Sequence, residues 1–442
     1  MLKRIGNLEE NRIDEVCIGE AAYPAVFPSG LEFNAPVHGT WNIVHIGMQI
    51  PEAIQIYVCA QNCMRGVVLT AAEMNAAERF SYVILSEKDM VSKDVENITI
   101  QGVIDVIQKR REHPKAVLLF TVCAHHFLGC DYNRIYRELE AAFPDIDFFR
   151  CYMDPIMQKK GLTPDQKLRR ATYEKLPDGP CDINKLALLG SDFLMDTGSE
   201  LLQMIAENGY QLGQIKSCNT YEEFLQLSEA GTFLCIYPPA KIGVEQAAKR
   251  LKRPFFYFPA SFDYALIDAQ VKELSAYLHV APPDMNTARE KAERSLQAAR
   301  EIIGNTPIAI DYTVHPRALG LARLLIMHGF RVDKVYIDAV NREEEADFAW
   351  LRDNAPDLVL SATIHVKKRV AKRGRAEKVL ALGQKAAWFE DTPWFVNLVS
   401  GGNLYGYAGI CKMAELMKDA FLVPKDTQDI VPRKGWGCES CI

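Results

Sequence analysis

The chain has 442 residues, 48% of them hydrophobic and 24% charged, enough for two or three domains with separate cores. A formal net charge of −6 argues against bulk attraction to nucleic acid or to an anionic membrane. No apolar run approaches the ~20 residues of a membrane helix, and Met1-Leu-Lys-Arg-Ile-Gly lacks an apolar signal core, so a cytoplasmic protein is expected.

Short apolar runs alternate with longer amphipathic ones. Ahead of residue 116, the stretch Tyr57-Val-Cys-Ala-Gln-Asn-Cys-Met-Arg-Gly66 leads into a helical run over 66–80. Residues 117–122 read as a buried strand. A helix follows over 131–143, capped by Asp131, and then a strand over 147–152. The polar segment 158–180 reads as a linker or surface excursion. A second unit starts at Asn184, with strands at 185–190, 213–218, 232–237 and 255–258. Its helices fall at 197–208, 220–230 and 244–251; Gly209 ends the first, and Thr220-Tyr-Glu-Glu opens the second in a capping-box pattern. Residues 284–303 form a long charged amphipathic helix, read as a bridge between domains. A third unit places strands at 307–311, 331–337 and 358–364, a helix at 316–328 and a last helix at 407–420. Repeated β–α–β order predicts an α/β fold of three doubly wound, Rossmann-like units with parallel sheets flanked by helices. The expected divisions are 1–180, 181–283, 284–425 and an irregular tail, 426–442.

Twelve cysteines in a chain of this size point to reduced thiols, some with metal or catalytic roles. Cys59 and Cys63 are four apart and would share one face of a helix. Cys123 ends the strand at 117–122, and the carboxyl edge of an open α/β sheet is where ligands bind. Cys17 lies in an irregular arm that could wrap back. Free cysteine is often only a small buried hydrophobe. Cys130, Cys151, Cys181, Cys218 and Cys411 are read that way, and the spacing of the others matches no compact ferredoxin motif. Cys438 and Cys441 form a C-x2-C pair, half of a tetrahedral site or two free thiols in a tail.

Four stretches, in order, resemble the nitrogenase component 1 superfamily. They are the Cys63 region entering a helix, Thr121-Val-Cys-Ala-His-His-Phe-Leu-Gly-Cys-Asp131, Asp311-Tyr-Thr-Val-His-Pro-Arg-Ala-Leu-Gly320, and Tyr405-Gly-Tyr-Ala-Gly409. The resemblance covers most of the chain; residues 307–420 match the third domain. It places Cys17, Cys63 and Cys123 on the three cysteines that bind a cluster at the subunit interface, with Cys59 extra. It implies a [4Fe-4S] or larger iron–sulfur cluster, shared within a homodimer or a heterodimer with a paralogue. No G-x4-G-K-[ST] loop occurs, so ATP-driven electron delivery would fall to a separate ATP-hydrolysing iron protein. The family's cofactor-binding His position reads Tyr405, and Cys235 lies about one residue from its Cys position. Dinitrogen reduction is therefore not expected, and a second metallocofactor is left open.

Substrate-cavity candidates are Cys235, Tyr237, His315, Arg317, His365, Lys367, Lys368, Arg373, Arg375 and Tyr405. His315 would donate a proton as imidazolium, or only order its loop; His365 is the other catalytic candidate. The basic run 367–375 is a solvated face or a carboxylate-binding one. His125 and His126, beside Cys123, read as supporting or packing groups. The resemblance implies a reductase subunit. A scaffold for metallocofactor assembly and a non-redox ligand-binding module are the alternatives.

Overall fold

Fourteen strands carry the architecture: β1 (Glu15–Cys17), β2 (Ala53–Cys59), β3 (Phe80–Ile84), β4 (Ala116–Val122), β5 (Asp147–Met153), β6 (Asp182–Leu188), β7 (Gln211–Gln214), β8 (Ala230–Cys235), β9 (Phe255–Tyr257), β10 (Ile308–Asp311), β11 (Val332–Tyr336), β12 (Val359–Ser361), β13 (Leu380–Leu382) and β14 (Phe395–Val396). They come from a computed structural model that describes residues 14–27, 32, 33, 35, 37, 42–92, 94–154, 161–402 and 404–427. The Cys438 and Cys441 pair lies outside the described residues. Three sheets form, ordered β3-β2-β4-β5, β7-β6-β8-β9 and β1-β12-β11-β10-β13-β14. Among the described residues every strand pairing is parallel except β1 with β12, beside one isolated antiparallel bridge between Glu32 and His365. The expected α/β fold with three helix-flanked parallel sheets is therefore present.

The chain divides into two compact units. One takes residues 41–194 and 205–259 with the first two sheets; the other takes the residues before 41, those at 195–204 and those from 260 onward, with the third sheet.

In the first unit β2 and β4 are buried along their whole length. Tyr57 and Phe120 stack across this pair with ring centroids 4.3 Å apart. Each such large apolar side chain stabilises the fold by about 1.5–3 kcal/mol through burial. Gln55 is tolerated in the middle of β2 because its amide donates to Val44 O (2.9 Å) and accepts from Tyr57 OH (2.8 Å). Asp131 caps the helix Tyr132–Ala142 by accepting from Arg134 N–H, and Ile135, Tyr136 and Leu139 face inward at helical spacing. The expected linker at 158–180 instead holds the helix Pro164–Glu174, opened by a Thr163/Gln166 capping box with Pro164 in the first turn. The helical run expected over 66–80 stops at Glu73, and Phe80 opens β3.

In the second unit Glu15–Cys17, assigned from sequence to the N-terminal domain, pairs antiparallel with Val359–Ser361 of the third sheet. Glu15 is bonded there by Lys334 (2.9 Å) and Lys368 (3.3 Å). Burial opposes its charge, but the two ammonium groups prevail and hold its carboxyl down at about 2. The helix Met285–Ile303, expected to bridge domains, lies wholly in this unit. Ala292, Leu296, Ala299 and Ile303 pack in one core with Ile410, Met413 and Met417 of the helix Gly406–Leu422. Among the described residues no helix is long and apolar enough to cross a membrane.

Candidate functional site

The thiols of the first unit sort by position on the sheet. β2 and β4 are parallel neighbours and release the chain on the same edge, at Cys59 and Val122. Cys59 is not on a helix with Cys63. It ends β2 opposite Ile84, fully buried, and burial, followed by the nearby Cys63 thiol, pushes its own thiol up to about 12. Cys63 lies beyond the edge, in the single turn Gln61–Cys63, and is exposed. Cys123 opens the turn Cys123–Phe127 and is half-buried. Its backbone is held by His125, whose Nδ1 accepts from Val122 N–H (3.3 Å) and whose Nε2 faces Thr99 Oγ1 (2.9 Å). Thr99 already donates to Val95 O (2.7 Å), so the tautomer that fits carries its proton on Nε2. Burial pushes this imidazole down to about 4, leaving it neutral.

Cys17 ends β1 opposite Val359, half-buried, in the other unit. Among the described residues no three His, Cys, Asp or Glu side chains sit together as a metal site within one chain. Of the cysteines expected to be packing groups, Cys151 and Cys411 are buried, Cys130 and Cys218 are half-buried, and Cys181 is exposed. Cys181 lies just ahead of β6, outside the sheet that buries its neighbours.

Cys235 ends β8 in the interior. Its Sγ reaches Tyr237 O (3.5 Å), and burial pushes the thiol up to about 12. Sequence reasoning missed the cluster beside it. Arg169, 2% exposed, binds Asp165 (2.5 Å), Asp192 (2.7 Å) and Gly190 O (2.9 Å), and lies over the Tyr237 ring at 4.9 Å. Gln49 adds a bond to Asp192 (2.9 Å). The signal was the Thr163-Pro-Asp-Gln166 helix start; the charge of Arg169 hid its inward face.

In the second unit Tyr405 is buried and donates to Gln270 Oε1 (2.6 Å). The helix start after it is occupied by Glu200, which accepts from Tyr407 N–H (3.1 Å) and Ala408 N–H (2.9 Å). Gly406 is required there: its φ is +65°, and a Cβ would lie 2.2 Å from the Glu200 carboxylate. Tyr405 and Cys235 are thus both buried and hydrogen-bonded within the protein.

His315 is not a resting imidazolium. Its Nδ1 accepts from Arg317 N–H (3.0 Å), its ring packs on Phe262 at 4.6 Å, and burial, with the Arg317 charge second, pushes it down to about 3. Arg317, expected to hold a cofactor, is ion-paired to Asp347 (2.9 Å). Half of the basic run is likewise committed. Lys368 meets Asp14 and Glu15, Arg375 meets Asp333 and Glu390, and Arg373 stacks on Trp388. His365 accepts from Lys367 N–H (3.2 Å). Among the described residues, the Nζ of Lys367 is buried without a hydrogen-bond partner.

The model of the family "Nitrogenase component 1 type Oxidoreductase" matches residues 43–422. The chain belongs to this family. Two solved nitrogenase structures share its fold. "Nitrogenase Cp1 at pH 6.5" is 13% identical, with a TM-score of 0.66 over 90% of this chain and 94% of that one. "Nitrogenase Cp1 at pH 5" is 12% identical, with a TM-score of 0.58 over 94% and 96%. Among curated proteins, none matches the sequence. In this nitrogenase component 1 chain, Cys63 and Cys123 follow adjacent strands at one carboxyl edge of the first sheet.

Proposed function

We propose that the chain is a subunit of a nitrogenase-like reductase that receives electrons from a separate ATP-hydrolysing iron protein. The observation that carries this reading is the position of Cys63 and Cys123. They follow neighbouring strands on one carboxyl edge of a parallel sheet, Cys63 exposed and Cys123 half-buried, while Cys59 and Cys151 of the same sheet are buried. Soft thiolates open to an interface fit an iron–sulfur cluster. Such a cluster, when bound, supplies one-electron transfer. Cys63 and Cys123 provide two of the four ligands a cubane needs, with Cys17 a third candidate. The remainder come from a second chain, identical or paralogous. Cys59 serves as packing. His125, neutral and bonded on both nitrogens, positions the Cys123 turn and moves no proton. The substrate lies at the carboxyl edge of the third sheet, and it is not dinitrogen, because Cys235 and Tyr405 are committed to the protein interior.

Iron and acid-labile sulfide analysis of anaerobically prepared protein, with the mass of the oligomer, tests this. Iron and sulfide in a dimer support it; a colourless monomer without iron overturns it. ATP-dependent turnover with a cognate iron protein separates a reductase from an assembly scaffold.

A further inference from the structure

We propose that a cavity beside the helix Ala318–Met327, in the second unit, binds an aromatic α-amino acid. Its carboxylate would meet Arg323, its ammonium Glu293, and its ring the apolar wall between them. This site is separate from the substrate position proposed above, and it stands without the electron-transfer reading.

The cavity has a volume of about 450 Å³, inside the range of about 300–1,000 Å³ usual for small-molecule sites. It lies where the helix Ala318–Met327 meets the start of the helix Tyr264–Leu278 and the helices Met285–Ile303 and Glu345–Asn354. Helical spacing brings Gly320, Arg323, Leu324 and Met327 onto the one face that lines it. Gly320 keeps the floor open, since a Cβ there would come 3.0 Å from the Asp347 carboxylate. Phe262 and Leu324 are buried, Tyr264 is half-buried, and Met327 is exposed. Apolar and aromatic walls with a few charged groups are the usual make-up of a ligand site.

The charged groups are unevenly used. Asp347 is spent, accepting from Arg317 (2.9 Å) and from Arg323 Nη1 (3.1 Å). Asp263 caps the helix Tyr264–Leu278 by accepting from Leu266 N–H (3.0 Å), and stands 3.4 Å from the same Arg323 nitrogen. Arg323 thus meets both carboxylates through Nη1. Among the described residues its Nε and Nη2 donate to no protein acceptor, and its guanidinium lies over the Trp350 ring at 5.4 Å. That leaves open the edge of the fork that takes a carboxylate in two parallel bonds.

Glu293 stands at the other end. About half of its side chain is exposed, and it meets His328 Nε2 (3.1 Å). His328 is tied to Leu324 O through Nδ1 (2.7 Å), and its ring lies 6.4 Å from the ring of Tyr264. Burial, and then Glu293, raises the Tyr264 phenol, which stays a neutral hydroxyl beside the carboxylate. One histidine uses only part of the acceptor capacity of a carboxylate, which has about four lone-pair sites, so an ammonium can join it.

Two guanidiniums therefore face Asp263 and Asp347, and Glu293 faces His328. Walls so nearly balanced disfavour a simple ion and suit a ligand carrying both signs. Arg323 and His328 are five residues apart, a rise of about 7.5 Å along the helix. An α-amino acid held at each end by a charged hydrogen bond of about 2.8 Å covers a comparable length. Leu324 and Tyr264 lie between the two ends, where the ring would rest.

The full chain, prepared anaerobically, is titrated calorimetrically with phenylalanine, tyrosine and tryptophan. The controls are 3-phenylpropionate, phenethylamine and alanine, which lack the ammonium, the carboxylate and the ring in turn. The best of the three amino acids should bind at least about tenfold more tightly than every control. Arg323→Gln and Glu293→Gln should each weaken it about tenfold. Glu293→Gln should leave 3-phenylpropionate unaffected, because that ligand has no ammonium to lose. The proposal is overturned if none of the three binds, if a control binds as tightly, or if Glu293→Gln leaves the affinity unchanged. Should Arg323→Gln fail to fold, because Asp347 loses a partner, the half-exposed Glu293 still decides the question. Binding to a chain that holds no iron would refute the reductase reading and leave this one standing.

Discussion

Lowering the pH should destabilise the protein through His315, by an amount the structure sets. The ring is 2% exposed, and its pKa falls from an ordinary 6.5 to about 3 in the fold. Below pH 6.5 the unfolded chain takes up a proton that the folded chain refuses. Stability from this group is thus present above pH 6.5 and lost as pH falls toward 3. Between pH 8 and pH 5 the loss is about 2 kcal/mol. Glu344 acts in the opposite direction. Burial raises its carboxyl to about 8, so the stability it adds is present below 4.5 and lost as pH rises through 8. The total slope therefore hides the histidine, and a difference measurement is needed. His315→Asn keeps an acceptor for Arg317 N–H but cannot titrate. Urea unfolding of parent and variant at pH 8, 6 and 5 gives the comparison. The stability gap should close in the variant's favour by about 2 kcal/mol from pH 8 to pH 5. A gap that stays constant across that range would show that the imidazole titrates normally, and the argument against His315 as a neutral, buried group would fail.

Three further outcomes are expected. Cys63→Ala or Cys123→Ala should remove iron and labile sulfide from anaerobic protein, while Cys411→Ala, inside a helical core, should retain both; equal loss in all three would refute the ligand assignment. Arg169→Leu strands Asp192 in the interior and should cost about 3–5 kcal/mol in denaturant unfolding, a penalty that shrinks at acid pH as the orphaned carboxylates protonate. Gly383→Ala forces a side chain into the Asp311 carboxylate at a left-handed φ and should cost at least about 1–3 kcal/mol; a variant as stable as the parent would show that the strand ends have room to move.

Much of this was readable from residue patterns, and the failures have physical causes. The run at 117–122 was unmistakable because a strand buried along its whole length is continuously apolar, while that at 147–152 kept Phe148, Phe149 and Cys151 buried around an exposed Arg150. The helix at Tyr132 was announced by its Asp131 cap. The helix Pro164–Glu174 was missed because the residue it buries most deeply in polar company, Arg169, looks like a solvent-facing one. β2 was obscured by Gln55, which is apolar in effect only once Val44 and Tyr57 satisfy it. Cys59 and Cys63 looked alike in sequence, and only the strand end between them separates a core thiol from an exposed one. Lys385 carried no local signal at all, because its reach to Tyr312 OH and Thr363 Oγ1 is a property of the folded surroundings rather than of any short motif.

The pairing of Glu15–Cys17 with β12 has a consequence for biosynthesis. The bond between Glu15 and Ser361 spans 346 positions of the chain. Contacts that distant form late and slow folding. A ribosome must release the residues up to β12 before Glu15–Cys17 can find its neighbour, so this strand settles long after it is made. Until then the open side of β12 is a bare row of amides and carbonyls, and a nascent chain stalled in its final third would expose it to any other strand nearby.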